Sequence, residues 1–288
     1  MSSDPGLADA LDPLVARHPL DERRTVRGVV SFRAAGAGPA LCLLHGIGSQ
    51  SGSWAPQLDA FASRYRVIAW DAPGYGRSDA LASAAPVAAD YAATLAALWD
   101  ALGVERAMMV ASSLGALIAG AFAAHWPDRV AGLVMLNPAG GYGRADPVER
   151  AARLAQRLDR LAALGPEGMA RDLAPGMLSA AASAEARALA AWSTARLRPE
   201  GYSQAARMLA DGSLAEDAAG YGGPVLVVAG SADTITPPAG CKAIASAFPQ
   251  GSYRLLEGIG HLSYLDAPET VNALIGDFAA ACLGKAVA

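Results

Sequence analysis

The sequence predicts an α/β fold: a mostly parallel, doubly wound sheet of about eight strands, with a helical lid inserted after strand 6. Two observations lead to this prediction. Short apolar runs bounded by turn residues recur along the chain, as is typical of strands buried on both faces of a parallel sheet. Helical patterns separate these runs, and strands that alternate with helices favour a sheet covered on both sides.

The predicted strands are one alternating segment and six short apolar runs. They are Thr25 to Ala34, Ala40 to Leu44, Arg66 to Trp70, Ala107 to Ala111, Gly132 to Leu136, Pro224 to Ala229 and Ser252 to Glu257. Three helices stand out between and after them. Residues 87–102 form one apolar face that ends at Gly103, and residues 114–126 are apolar nearly all round, which predicts a central buried helix. Asp266 and Glu269 are spaced as a capping box that opens a C-terminal helix.

One segment contains helical patterns but no strand-like runs. It covers residues 141–220, and we interpret it as a helical lid over one edge of the sheet. The core is then expected at 1–140 and 221–288. Residues 1–20 are predicted to be an amphipathic N-terminal extension, with Leu7, Leu11, Leu14 and Val15 at helical spacing.

Composition limits the partners. Of the 288 residues 53% are hydrophobic and 17% charged, which fits a large buried core. The net charge of −4 offers no attraction to nucleic acid or to an anionic membrane, so a small-molecule substrate is expected, and a homodimer stays open. The sequence shows neither a signal peptide nor an apolar run of roughly 18 residues, which favours a cytoplasmic protein.

The cysteines do not suggest a structural framework. Cys42, Cys241 and Cys282 are few, odd in number and without metal-ligand spacing, which favours a reducing compartment. No metal or nucleotide motif occurs, so we expect neither a metal nor another cofactor.

A predicted strand-to-helix turn holds the candidate nucleophile. In a nucleophile elbow, small residues stand two positions before and two after the serine, because the turn is sharp. Ser113 fits, since Ala111 and Gly115 are both small. Ser112 does not fit, because larger side chains stand at its flanking positions.

A serine needs a base, and the base needs an acid that orients it. Of the four histidines, His261 follows the last predicted strand in a glycine-rich loop, while His18 and His125 lie in the extension and at a helix end. The acid is expected just past a strand end, and Asp233 is the carboxylate found there. The order Ser113, Asp233, His261 differs from the orders in chymotrypsin and subtilisin.

The oxyanion of a tetrahedral intermediate needs N–H donors. We expect one from Leu114, after the nucleophile, and one from Ile47, in the loop after the Ala40-to-Leu44 strand. Gly46 belongs to the same loop. His45 is interpreted as structural, its ring hydrogen-bonded to nearby backbone.

With these motifs together, the chain resembles the α/β-hydrolase superfamily from Thr25 to Leu283. The matching pieces are His45 to Trp54, Asp71 to Ser78, Ala111 to Gly115, Gly230 to Asp233, and Gly260-His261. It is most similar to small bacterial carboxylesterases, enol-lactonases and carbon–carbon hydrolases of aromatic breakdown. The resemblance implies a structural role for the loop from Asp71 to Ser78. Families with an aspartate nucleophile are excluded by Ser113.

The resulting hypothesis is a serine hydrolase that cleaves a carboxylic ester or lactone of a small, largely apolar substrate through an acyl-enzyme. Alternatives are a carbon–carbon bond hydrolase, a cofactor-free haloperoxidase, or a ligand-binding receptor on the same fold. Most lid arginines are expected on solvated faces, paired with acidic residues. One that reached inward would bind a substrate carboxylate, but the sequence does not identify it.

Overall fold

The computed structural model describes residues 15–284, and within them eight strands form one sheet in the order β1-β2-β4-β3-β5-β6-β7-β8. The pairs β1–β2 and β2–β4 are antiparallel and all the others are parallel. The strands are β1 Asp21–Thr25, β2 Gly28–Ala35, β3 Ala40–Leu44, β4 Arg66–Trp70, β5 Ala107–Ser112, β6 Val130–Leu136, β7 Pro224–Gly230 and β8 Gln250–Leu256. The predicted mostly parallel α/β sheet is confirmed.

The helices of the described part of the chain lie between these strands or after the last of them. They are α1 Ala55–Phe61, α2 Ala88–Ala101, α3 Gly115–His125, α4 Pro147–Asp172, α5 Ala184–Thr194, α6 Pro199–Asp211, α7 Leu214–Asp217, α8 Pro238–Ala247, α9 Ser263–Asp266 and α10 Pro268–Leu283. Short 3₁₀ turns lie at Ser51–Trp54, Pro127–Arg129, Ala174–Met177 and Ala218–Gly220. Helix α4 is broken at Gly165, where φ is 62°, just before Pro166.

The core lies on both faces of the sheet. Along β3, Leu41 and Leu43 join one apolar cluster, while Cys42 and Leu44 join the other. Successive side chains of a strand point to opposite faces, so this alternation places one cluster on each side. Helices α2 and α3 cover the first face, and α1 and α10 cover the second.

The first predicted strand was wrong in its extent. Residues 21–35 form a hairpin of two strands, β1 and β2, with a turn at residues 26–27 in which Val26 is almost fully exposed. Apolar or alternating patterns predict strands, whereas Asp21, Glu22, Arg23 and Arg24 are all charged and show neither pattern. An edge strand has a solvated face and needs no apolar run.

The segment between β6 and β7, which includes the residues 141–220 interpreted as a lid, is helical. Helices α4 to α7 make up this helical insertion (residues 137–223). Of the predicted N-terminal extension, residues 1–14, including Leu7, Leu11 and Leu14, lie outside the described residues, while Val15 is buried in the second core cluster. Over residues 15–284, no helix combines the length and apolar character needed to cross a bilayer.

Candidate active site

Ser113 occupies a sharp turn at the centre of the sheet. Strand β5 ends one residue before it, and α3 begins two residues after it. Its φ of 51° is uncommon for a residue with a side chain. Two hydrogen bonds hold this backbone, because Ser113 N donates to Leu136 O at 3.0 Å and Ala139 N donates to Ser113 O at 3.0 Å. The strained turn is therefore fixed by the neighbouring strand β6.

The close approach of two loops explains the small residues around the serine. A Cβ at Gly115 would lie 2.7 Å from Leu44 O and 2.9 Å from His45 O. A Cβ at Gly46 would lie 3.1 Å from the Cβ of Ser113. The elbow and the loop after β3 are thus in direct backbone contact, which a side chain at either glycine would disturb.

His261 and Asp233 form a buried pair. The Nδ1 atom of His261 lies 2.8 Å from Asp233 Oδ2, and the two residues are each 4% exposed. A carboxylate only accepts hydrogen bonds, so Nδ1 carries the proton and donates it to Asp233. In the neutral ring, Nε2 is then unprotonated and can accept a proton.

Asp233 is surrounded by donors besides His261. Asn137 Nδ2 donates to Oδ2 at 2.8 Å, and Thr236 Oγ1 donates to the same oxygen at 2.7 Å. The backbone N–H groups of Ile235 and Thr236 donate to Oδ1 at 2.7 and 3.1 Å. Burial alone would raise the pKa of Asp233, but the hydrogen bond and charge of His261, together with the Thr236 bonds, lower it to about 2.

Asn137 and Thr236 were not predicted from the sequence. Asn137 directly follows β6 and has a φ of 48°. The position of Asn137 after a predicted strand was a signal for this role. Strand β6 lies beside β7, which leads to Asp233, and side chains at the carboxyl ends of adjacent parallel strands meet. Thr236 stands three residues after Asp233, where turn residues commonly hydrogen-bond to an aspartate.

The predicted capping box at Asp266 was wrong. Helix α10 begins after Ala267 without a side-chain cap. The Asp266 carboxylate instead accepts from Gly260 N at 2.7 Å and from Ser179 N at 2.9 Å. These bonds tie the loop before His261 to the helical insertion, which is why the carboxylate does not cap the helix.

The two predicted oxyanion donors lie in different segments, Ile47 in the loop after β3 and Leu114 in the turn between β5 and α3. Within residues 15–284, the amides of Ile47 and Leu114 donate to no backbone carbonyl. Tyr75 OH donates to Ile47 O at 3.0 Å, and Thr194 Oγ1 lies 2.9 Å from Gly48 O. Bonds on its carbonyl groups therefore hold the loop, while the Ile47 amide is left without a backbone acceptor.

His45 shapes this loop from inside the protein. Its Nε2 accepts a hydrogen bond from Ala72 N at 3.0 Å, so Nδ1 carries the proton and donates to Gly46 O at 2.8 Å. Burial lowers the pKa of His45, although the bond to Gly46 opposes the shift. A neutral ring is what these two bonds require, because one nitrogen must accept and the other donate.

Ser113 and His261 line one cavity of about 520 Å³ together with Gly46 and Ile47. The helical insertion supplies much of the remaining wall. Its apolar contributions are Met169, Leu173, Met177, Tyr202 and Leu209, and its polar ones include Tyr142, Arg153, Gln156, Arg157, Arg160 and Thr194. The cavity is therefore enclosed between the carboxyl ends of the strands and the insertion.

The other histidines lie away from this cavity. His18 Nε2 is 2.7 Å from Asp59 Oδ1, and His125 Nδ1 is 2.8 Å from Ala121 O at the end of α3. Asp71, which directly follows β4, accepts from Ser51 N and Ser31 Oγ, each at 2.7 Å. Across residues 15–284, no three His, Cys, Asp or Glu side chains cluster closely enough to hold a metal ion.

Comparison with known proteins agrees with this architecture. A sequence model described as alpha/beta hydrolase fold matches residues 39–268. A relative from Caulobacter sp. (strain K31), named as carbamate hydrolase RutD, is 30% identical over 268 residues, which are 88% of this chain and 96% of that protein.

Two solved structures are also similar. A thermophilic esterase from Thermogutta terrifontis has a TM-score of 0.80 and 25% identity, covering 90% of this chain and 97% of that one. An enzyme that degrades N-acyl homoserine lactones has a TM-score of 0.75 and 26% identity, covering 90% of this chain and all of the other. The matched segment spans the elbow, the acid and the histidine loop. The chain therefore belongs to the α/β-hydrolase fold family and is an enzyme of the α/β-hydrolase type.

Proposed function

We propose that the protein is a serine hydrolase that cleaves a carboxylic ester or lactone of a small, largely apolar substrate through an acyl-enzyme intermediate. The observation that carries the proposal is the Asp233–His261 pair, 2.8 Å apart, on the same cavity as Ser113. An oriented imidazole beside a serine is the arrangement that makes a hydroxyl nucleophilic. The esterase and lactone-degrading relatives support acyl transfer.

The reaction proceeds in two halves. Ser113 Oγ attacks the substrate carbonyl while His261 Nε2 accepts its proton, and His261 then donates that proton to the leaving alcohol oxygen. Asp233 stays ionised, holds the Nδ1–H tautomer and stabilises the imidazolium. A water molecule, activated by His261, attacks the acyl-enzyme and releases the acid with Ser113 regenerated.

The oxyanion of each tetrahedral intermediate accepts from the amides of Ile47 and Leu114. Both groups are backbone donors: contacts on the loop carbonyls hold Ile47, and the hydrogen bonds of the adjacent Ser113 backbone hold Leu114. We also propose that the helical insertion acts as a lid, with residues 1–140 and 221–288 as the core. Its residues line the same cavity as Ser113, which supports this role.

The test is hydrolysis of p-nitrophenyl butyrate by the purified protein and two alanine variants. Ser113→Ala should lower kcat/KM by about 10⁴-fold or more, since it removes the nucleophile. Ser112→Ala is the matched control: its hydroxyl is buried and makes no hydrogen bond within the described structure, so activity should stay within about threefold. If Ser113→Ala hydrolysed the ester at the wild-type rate, the proposal would be refuted.

A further inference from the structure

The cavity that holds Ser113 has a cationic side. Arg153, Gln156, Arg157 and Arg160 all line it from helix α4. They are spaced i, i+3, i+4 and i+7, so they form one face of that helix. The neighbouring stripe of Leu154, Leu158 and Leu161 packs against the core. The α4 face turned to the cavity therefore presents guanidinium and amide donors.

Carboxylates balance only part of the positive charge on this side of the cavity. Arg153 pairs with Glu149 at 2.6 Å, and Asp172, the acidic residue in the cavity lining, pairs with Arg171 at 2.8 Å. Among the described residues, Arg157 and Arg160 have no carboxylate within ion-pair distance. The cavity thus carries two guanidinium groups without a protein counter-ion.

Arg157 is the better placed of the two. It is half-buried, whereas Arg160 is exposed. Arg157 Nη2 donates to Tyr142 OH at 3.2 Å, and Tyr142 also lines the cavity. A guanidinium has five N–H donors, so this bond leaves others to bind a ligand. Partial burial without a counter-ion is unfavourable, and an anion in the cavity would offset that cost.

Much of the remaining cavity lining is apolar. Ile47, Met169, Leu173 and Leu209 lie on the cavity surface with Ser113 and the α4 arginines. A ligand that fills the cavity would therefore contact Ser113, apolar side chains and the guanidinium of Arg157. Arginine binds a carboxylate with two parallel hydrogen bonds, which makes it selective for such a group.

We infer that the α4 face of Arg157 and Arg160 is an anion subsite, and that the substrate is an ester or lactone that carries a second, ionised carboxylate. This inference rests on the proposed function and specifies its substrate class. Arg157 is the principal binding residue, with Tyr142 holding its guanidinium in place.

Two pairs of esters test the inference, one for each side of the scissile bond. The first pair is p-nitrophenyl hexanoate and the p-nitrophenyl monoester of adipic acid. The second is phenyl butyrate and 4-carboxyphenyl butyrate. In at least one pair the wild-type protein should prefer the carboxylate-bearing ester by about 10- to 100-fold in kcat/KM, the range expected for a charge-assisted hydrogen bond. Equal turnover within both pairs would overturn the subsite.

The variant Arg157→Gln should remove that preference mainly by raising KM for the carboxylate-bearing ester. Arg150→Gln is the matched control, because Arg150 lies on the same helix, pairs with Asp211 at 3.4 Å and does not line the cavity. It should leave both esters unchanged. An equal loss for charged and neutral esters in Arg157→Gln would contradict the assignment.

A binding measurement separates this inference from the proposed function. Titration of monomethyl adipate into Ser113→Ala needs no turnover, and the double variant Ser113→Ala/Arg157→Gln should bind it about 10- to 100-fold more weakly. Equal affinity would refute the subsite even if Ser113 proves catalytic. Loss of affinity would support it even if no ester is hydrolysed. If inorganic phosphate competed with monomethyl adipate for binding and glutarate did not, the assignment of a carboxylate as the bound anion would be overturned.

Discussion

At the scale of single residues, the ionised state of Asp233 controls the site. The side chain is fully buried, yet five donors surround its two oxygens, from His261, Asn137, Ile235 and Thr236. Burial disfavours the charged carboxylate, and these hydrogen bonds favour it more strongly. The balance lowers the pKa of Asp233 to about 2. A negative charge is thereby maintained behind His261 across the neutral pH range.

This shift predicts a pH-dependent part of the stability. Since the folded pKa lies below the ordinary value of 3.8, the contribution of Asp233 is present above pH 4 and is lost as the pH falls towards 2. Asp233→Asn should therefore lower the free energy of unfolding at pH 6 by on the order of 2 kcal/mol more than at pH 2. Urea unfolding of both proteins at the two pH values measures this.

The control is Asp172→Asn, which removes an exposed carboxylate from the cavity rim. Because this carboxylate is exposed and its ion pair with Arg171 is solvated, its removal should change the pH dependence of unfolding less than Asp233→Asn does. A pH-independent difference for Asp233→Asn would show that the hydrogen bonds around Asp233 do not stabilise its charged form.

At the scale of elements, the turn between β5 and α3 depends on the backbone contact at Gly115. Leu44 O and His45 O occupy the space where a side chain would begin. The loop after β3 is in turn held by Tyr75 and by Thr194 of α5. The turn that holds Ser113, the loop after β3 and the insertion are thus joined by direct contacts.

Gly115→Ala should destabilise the protein by about 1–3 kcal/mol, because its Cβ would meet rigid backbone oxygens. Gly240→Ala is the matched control. Gly240 also lies near the start of a helix, α8, but a Cβ there meets nothing within 4 Å. Alanine in an open helical position should raise stability by about 0.5–1 kcal/mol. Chemical denaturation of both variants distinguishes the two effects, and similar behaviour would contradict the crowding at the elbow.

The elements that the sequence predicted best are the buried ones. Strands β3 and β4 match their predicted bounds, because continuous apolar runs report burial on both faces. Strand β1 was missed, since its charged residues lie at an exposed edge. Asp266 was assigned to a helix start, but its partner Ser179 is distant in sequence. Local patterns do not contain such contacts.

At the scale of the whole molecule, the helical insertion shares its core with the sheet. Leu161, Met169, Tyr202 and Leu209 belong to the same apolar cluster as the residues of α2 and α3. The insertion also contributes Leu178 and Leu189 to the cluster on the other face. It therefore has no separate core of its own among the described residues.

This shared core predicts that the protein unfolds in a single transition. In differential scanning calorimetry, the ratio of calorimetric to van't Hoff enthalpy should be close to about one. The midpoint of the unfolding transition followed by fluorescence should be the same for Trp192, in the insertion, as for Trp54, Trp70 and Trp99, in the sheet region. Single Trp→Phe variants, each lacking one of these fluorophores, allow this comparison. Two separated transitions would show that the insertion folds independently.

The residues of the site differ in whether a local sequence pattern or a tertiary contact reveals their role. Ser113, Asp233 and His261 were predicted from their order after strand ends, which topology constrains strongly. Asn137 and Thr236 were missed because their role arises only once β6 and β7 lie side by side. The inward-facing arginines could not be chosen from the sequence either, since the rotation of α4 about its axis depends on packing.

The central claim is that Ser113 is the nucleophile. A fluorophosphonate reacts with a serine only when a base activates it and an oxyanion site receives the phosphoryl oxygen. After incubation with such a probe, peptide mapping by mass spectrometry should place one adduct on Ser113, with none in Ser113→Ala and an undiminished adduct in Ser112→Ala. An adduct on Ser112, or a labelled Ser113→Ala protein, would contradict the account.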